Sequence, residues 1–298
     1  MSTTNPRGTT IMTTSNQEKQ RALVVGDMHL KEELILGRVD AAISQLGVDR
    51  VVCCGDYCDE WNSNCLTMRD ALDSLSYWVR GKRKRGIQVD LVLGNHDMSY
   101  LRRIPGPGTH VGLFDEVENI LDELRARMAC VAGNCLVTHA GVTKQWADQH
   151  LNLEDEYSAH DICCALNAMF ERRNEDDLAA LDSAGPGRGG FEIPGPLWAD
   201  QSELYSNPLP GIHQIVGHTP VESIDLWQIP SEDRVHTTAK LVFCDTFGLT
   251  RDLTPIGDGS MLLVEGKSIR TVTADELGLT PWPVASLDWM ETCVLPFL

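Results

Sequence analysis

Six side chains that bind transition metals recur along the chain, each just after an apolar run. They are Asp27 and His29 in Gly26-Asp27-Met28-His29, Asp56 in Gly55-Asp56-Tyr57-Cys58-Asp59, Asn95 in Gly94-Asn95-His96-Asp97, His139 in Thr138-His139-Ala140-Gly141 and His218 in Gly217-His218-Thr219-Pro220. Two carboxylates, one amide and three imidazoles make a mixed oxygen and nitrogen set. It is too soft for calcium or magnesium alone and too hard for a thiolate zinc site, and it suits Mn, Fe, Zn or Co. Six ligands exceed what one ion with open positions uses. Two ions sharing a bridging carboxylate fit better, and such a pair acidifies a bridging water and clamps an in-line displacement at phosphorus. One Asp-x-His or Gly-His after a strand is usually structural; five such blocks in order point to metal-assisted hydrolysis.

The elements that must carry these blocks are legible in the hydrophobic pattern. Residues 21–25, 51–54 and 89–93 read as buried strands. Between them lie two amphipathic helices, one stopped by Gly47 and one over about 66–79 ahead of the basic run Lys82-Arg83-Lys84-Arg85. This β-α-β-α-β order predicts a parallel sheet covered by helices, with sites at the carboxyl ends of its strands. A helix is expected over 114–128, then a hairpin turning at Gly133-Asn134, whose second arm ends at His139. Residues 143–182 read as mostly helical and acidic, and 183–196 as a long Gly/Pro loop containing Arg188. Runs at 212–216, 241–244 and 261–264 read as further strands, the last two forming a second sheet or extending the first.

At 298 residues and 42% hydrophobic content the chain is expected to build a sizeable core. Its formal net charge of −18 argues against a general nucleic-acid partner, which needs a basic footprint. A small phosphorylated substrate stays compatible, because bound cations reverse the sign locally. The polar segment 1–20 reads as a disordered lead-in without the apolar core of a signal peptide, and no apolar run is long enough to span a bilayer. Residence in the cytoplasm and no membrane partner are the expectation. The ten cysteines include no Cys-x-x-Cys pair and lie mostly in apolar runs, so they read as reduced core thiols.

Taken together, Gly26-Asp-x-His29, Gly55-Asp-x-x-Asp59, Gly94-Asn-His-Asp97, His139 and Gly217-His218 resemble the five blocks of the calcineurin-like metallophosphoesterase superfamily. The resemblance spans residues ~21 to ~265. Within it, Gly55-Asp-Tyr-Cys-Asp59, Pro196-Leu-Trp-Ala-Asp200, Val216-Gly-His-Thr-Pro220 and Asp245-Thr246 are similar to the phosphoprotein phosphatase branch, which includes bacterial and phage serine/threonine phosphatases and symmetrical dinucleoside tetraphosphatases. The resemblance implies an α/β fold of two packed mixed β-sheets flanked by helices, an α/β/β/α sandwich. It implies a catalytic domain over 21–270 with a helical and loop insertion at about 143–195, followed by a tail over 271–298 packed on the domain. It implies two divalent ions, Mn first and Fe, Zn, Co or Ni next. Asp27 and His29 would bind metal 1, Asp56 would bridge, and Asn95, His139 and His218 would bind metal 2. His96 would act as general acid at the leaving oxygen, with Asp59 orienting its ring. The implied reaction is direct attack of metal-activated water on a phosphomonoester, in a phosphoprotein or a small molecule. A nucleotide phosphodiesterase or dinucleoside polyphosphate hydrolase is the alternative, followed by a metal-dependent nuclease or a non-catalytic scaffold.

The chain departs from these patterns at three places. Pro220 stands where many diesterases and nucleases of the superfamily carry the last His of Gly-His-x-His, which ligates metal 1. Glu60 stands where the phosphatase branch carries an Arg that grips phosphate, and would repel a dianionic monoester; Arg102, Arg103 and Arg188 are the substitutes the sequence offers. Asp97 replaces a Glu of that branch. Trp61, Trp78 and Trp198 read as core or rim packing, and the run Lys82 to Arg85 as the solvated basic end of a helix.

Overall fold

The computed structural model describes residues 20–154, 156–230 and 239–282. The segment read as a lead-in, save Gln20, and the end of the tail beyond Trp282 lie outside the described residues.

The first three strands form as the apolar runs require: β1 (Arg21–Val25), β2 (Arg50–Cys53) and β3 (Gln88–Leu91) are parallel neighbours. Helix α1 (Glu32–Leu46) ends at Gly47, whose φ of 63° is left-handed and free of strain only in glycine. Helix α2 (Cys65–Lys84) starts at Asn64, whose side chain accepts the amides of Leu66 and Thr67. It runs further than the periodicity suggested, taking Lys82, Arg83 and Lys84 into its last turn, where cations favour the helix dipole. Helix α3 (Asn95–Leu101) follows β3 directly. Helix α4 (Phe114–Glu123) is shorter than the expected 114–128, because Arg125 turns the chain at a φ of 58°.

The hairpin β4 (Ala129–Ala132) and β5 (Cys135–Thr138) opens the second sheet. Helices α5 (Lys144–His150), α6 (Ala159–Arg172) and α7 (Glu175–Leu181) fill the stretch read as helical. After the long loop and α8 (Gln201–Ser206) come β6 (His213–Pro220), β7 (Asp225–Ile229), β8 (Ala239–Asp245), β9 (Met261–Glu265) and β10 (Ser268–Val272). One five-stranded sheet has the order β10-β9-β1-β2-β3 and the other β4-β5-β6-β8-β7; both are mixed. The run at 261–264 thus extends the first sheet and the run at 241–244 belongs to the second. Strands β7 and β10 escape the sequence reading because they are edge strands whose residues are mostly half-exposed, leaving little apolar signal.

The two sheets pack face to face. Alternate residues of β1 show why: Ala22 and Val24 meet the other sheet, while Leu23 and Val25 meet the helices. The inter-sheet layer is built from small side chains, including Cys54, Cys130, Cys135 and Cys244. The nine described cysteines are all free thiols. On the outer side α6 packs across β4, closing the helix–sheet–sheet–helix order. Near the described end, Trp282 is buried beside Phe247, with ring centroids 5.9 Å apart.

Candidate metal centre

The loops after β1, β2 and β3 leave from one edge of a parallel sheet, and the ends of β5 and β6 face the same edge from the second sheet. All six donors meet there. Asp56 is the hub: its Oδ2 lies 3.4 Å from His29 Nε2 and 3.5 Å from His139 Nε2. Donor atoms of His29, Asp56 and His96 lie within 4.8 Å of one another, as do those of Asp56, His139 and His218, so one carboxylate serves two groups. His139 Nε2 is also 2.9 Å from Asn95 Oδ1 and 3.1 Å from His218 Nδ1. Asp27 stands slightly aside. Its oxygens accept the His218 amide at 3.1 and 3.0 Å, and its Oδ1 lies 3.7 Å from His139 Nδ1.

Such convergence needs unusual backbone. His29, Asp56, Asp59 and His218 have φ of 41°, 49°, 63° and 62°, a region that costs non-glycine residues about 1–3 kcal/mol each. Asp97 is what holds much of it. Its fully buried carboxylate accepts the amides of Asp56, Tyr57, Cys58 and Gly94 at 3.0, 3.0, 3.3 and 2.8 Å, which ties the second motif to the third. The sequence left Asp97 without a role; no local pattern betrays a carboxylate three of whose four partners lie about 40 residues away. Glycine is required at two contact points. A Cβ on Gly94 would lie 2.1 Å from Asp56 Oδ1, and one on Gly217 would lie 2.1 Å from Asp27 Oδ1.

Hydrogen bonds select the tautomers. His139 Nδ1 lies 2.8 Å from the Cys54 carbonyl oxygen and His29 Nδ1 lies 2.7 Å from that of Asp59. A carbonyl only accepts, so each Nδ1 carries the proton and each Nε2 keeps its lone pair toward Asp56. Burial disfavours the charged form of all three expected imidazole ligands. It lowers His29 and His139, and with His139 and Arg188 nearby it holds His218 well below the usual value. Burial also pushes Asp27 well up, helped by Asp245 and Asp56. Asp56 behaves in the opposite way. Burial raises it, but the surrounding imidazoles hold it below the usual carboxylate range. Of the four imidazoles gathered here His96 alone is pushed up, to about 9: burial opposes its charge, and the carboxylates of Asp56 and Asp59 outweigh burial.

The donor set fits divalent ions. His139 Nε2 turns its lone pair toward His218 Nδ1 at 3.1 Å, and the buried His218 Nε2 and Asp245 Oδ1 have no hydrogen-bond partner among the described residues. Asp245 pairs with Pro220 across β6 and β8, so a buried carboxylate stands beside the place of the missing last histidine. Groups of this kind are costly to bury without a cation.

The rim clarifies the other expectations. Glu60 is not a free negative charge: its Oε2 pairs with the buried Lys31 Nζ at 2.6 Å, and Lys31 also donates to the His29 carbonyl. Arg188 lies against the last block, donating to Thr219 Oγ1 at 2.6 Å and standing 3.3 Å from Asp200. Arg102 and Arg103 are taken up elsewhere. Arg102 pairs with Asp182 at 2.7 Å and with Glu175, and Arg103 pairs with Asp115 and Glu118 on the surface at 2.5 and 2.9 Å. Trp198 packs its ring edge against His218, centroids 5.8 Å apart, while Trp61 is exposed and Trp78 donates to Asp40.

A two-sheet α/β sandwich with this histidine and aspartate cluster at its strand ends defines a metallophosphoesterase. The model of the calcineurin-like phosphoesterase family matches residues 20–222, and the chain belongs to that family. It is therefore a hydrolase of phosphoesters whose family uses divalent metal ions. No curated protein sequence matches it. Among solved structures it is similar to a cold-active protein-tyrosine phosphatase of a psychrophilic Shewanella species, at 14% identity, TM-score 0.45, over 91% of this chain and 90% of that one. It is also similar to a protein serine/threonine phosphatase from Saccharomyces cerevisiae, at 15% identity, TM-score 0.46, over 87% and 81%. A putative diadenosine tetraphosphatase is similar at 16% identity, TM-score 0.41, over 85% and 93%. With TM-scores below 0.5, none of these three likenesses bears on the choice of substrate.

Proposed function

We propose that the chain is a dinuclear phosphomonoesterase acting on phosphoproteins or small phosphorylated molecules. Two divalent ions, Mn in first place, would be held by Asp27, His29 and Asp56 on one side and by Asp56, Asn95, His139 and His218 on the other. The observation that carries the reading is the single Asp56 oxygen lying 3.4 and 3.5 Å from imidazoles of both sides. When bound, such ions acidify a shared water and neutralise charge on the phosphoryl oxygens.

The chain's own groups do the rest. The carbonyls of Asp59 and Cys54 hold His29 and His139 in the tautomer that offers Nε2. His96 is charged, half-buried and anchored through Nδ1 to Asp59 at 3.0 Å, which leaves its Nε2 proton for the departing oxygen. Arg188 sets a guanidinium beside Thr219 at the mouth, suited to grip phosphate oxygens. Lys31 neutralises Glu60, so the rim admits a dianion. These features favour a monoester over a diester.

The test is Asp56→Asn assayed with Mn and p-nitrophenyl phosphate. Loss of hydrolysis together with loss of bound Mn is expected, and retained activity would overturn the two-metal reading. On the unaltered protein, bis-p-nitrophenyl phosphate, a phosphopeptide, diadenosine tetraphosphate and single-stranded DNA complete a substrate panel. Faster hydrolysis of any diester or anhydride than of the monoesters would replace the monoester assignment.

A further inference from the structure

Asp59 divides its carboxylate between two partners. Oδ2 faces His96 Nδ1 at 3.0 Å, and Oδ1 accepts a hydrogen bond from the Tyr100 hydroxyl at 2.6 Å. His96 and Tyr100 are four residues apart on α3, so they lie on one face of a single helical turn and reach the same acid from one side. We propose that Tyr100 is a positioning residue for phosphoester hydrolysis: its hydroxyl holds the Asp59 carboxylate in the orientation that presents Oδ2 to His96.

The surroundings support this division of labour. A carboxylate turns easily about its last bond, because that torsion has a broad, two-fold profile. A partner on one oxygen only would leave the plane free; a partner on each oxygen sets it. The Tyr100 hydroxyl has one proton to give. The His110 amide donates to the same oxygen at 2.8 Å, which occupies a lone pair and leaves the proton for an acceptor. Two acceptors are in reach, Asp59 Oδ1 at 2.6 Å and Met68 Sδ at 3.3 Å, and the carboxylate is much the stronger. Tyr100 and Asp59 are both buried, so water does not compete.

The rest of Asp59 is equally restrained. Its backbone sits at a φ of 63°, its carbonyl accepts from His29 Nδ1 at 2.7 Å, and Gly108 packs so closely that a Cβ there would lie 3.2 Å from the Asp59 Cβ. Tyr100 thereby links the loop before α4 to the group that orients the proton donor. A residue that only filled the core would need the ring, which packs edge-on against Phe114 at 5.8 Å, and not the hydroxyl. Tyrosine at this place escaped the sequence reading because neither of its partners, Asp59 or His110, is adjacent in the chain.

The inference rests on the reading of His96 as proton donor, and one experiment separates the two. With Mn-loaded protein, Tyr100→Phe, His96→Ala and the double variant are assayed on p-nitrophenyl phosphate, which needs no proton on its leaving group, and on an alkyl phosphate, which does. Metal content and the unfolding midpoint are read alongside. Tyr100→Phe is expected to lower kcat on the alkyl ester roughly 10-fold, the scale of an outer partner, with KM and the p-nitrophenyl rate within about two-fold. In the His96→Ala background it should add nothing. Equal losses on both substrates, additivity in the double variant, or loss of metal or fold in Tyr100→Phe would overturn the proposal. If His96→Ala itself loses equally on both substrates, the proton-donor reading fails first and the role of Tyr100 falls with it.

Discussion

The two halves of the site solve different problems with the same residue types. On the first-sheet side, His29 and His96 keep 21% and 25% of their side chains exposed, and their rings meet edge to face at 5.1 Å. On the second-sheet side His139 is fully buried, and His218 packs against Trp198. His96 differs from the other three imidazoles in charge. Burial disfavours the charged form of His139 and His218, and the neutral form is the one that binds a cation. His96, between two carboxylates and open to solvent, is pushed up and holds its proton. An imidazole becomes a ligand or an acid according to what surrounds it, and the strand it follows decides the surroundings.

This contrast can be broken experimentally, and the largest effect is expected in the buried half. His139→Ala removes a group in contact with Asp56, Asn95 and His218 at once. It should cost more than the ~10–100-fold in metal affinity typical of losing an outer partner, and should abolish Mn-dependent hydrolysis. Elemental analysis after dialysis reads the first and p-nitrophenyl phosphate the second; two Mn per chain in the variant would refute the assignment of a ligand. His29→Ala, on the open side, should leave one tightly held ion behind, and a variant with none would show that the halves are not separable.

A smaller effect is expected from Asp97, which belongs to neither half and clamps the loops after β2 and β3. Asp97→Asn weakens acceptance of four buried amides and should destabilise the fold by about 3 kcal/mol, since each unpaired buried donor costs ~1–3 kcal/mol. Denaturant unfolding checks it, and an unchanged midpoint would mean the clamp is redundant. The smallest change is expected at the rim. Arg188→Ala should raise KM for a phosphomonoester about 10-fold, a loss near 1.4 kcal/mol, with kcat nearly kept. A fall in kcat alone would move Arg188 from binding the substrate to acting on the reaction.

Legibility followed the same division. The apolar runs of β1, β2 and β3 could be read directly, because strands buried on both faces are continuous in sequence and each motif sits at a run's end. The capped helices between them were equally plain. Edge strands β7 and β10 were not, since half-exposed strands carry little apolar periodicity. Glu60 read as a lone negative charge only because Lys31, its partner at 2.6 Å, comes from the loop of a different motif.

The sequence by itself determined the candidate donors, their order and the element that ends before each block. It did so because those properties are local: residue type, hydrophobic period and the glycines that let the chain turn. Tertiary structure alone decided that one Asp56 oxygen faces both halves, that Asp97 gathers four amides, and that Asp59 is shared by His96 and Tyr100. It decided as well which arginine reaches the mouth, leaving Arg188 there and binding Arg102 and Arg103 to carboxylates elsewhere. Orientation, burial and ion pairing depend on partners tens of residues away, and only packing the two sheets against each other brings those partners within hydrogen-bonding distance.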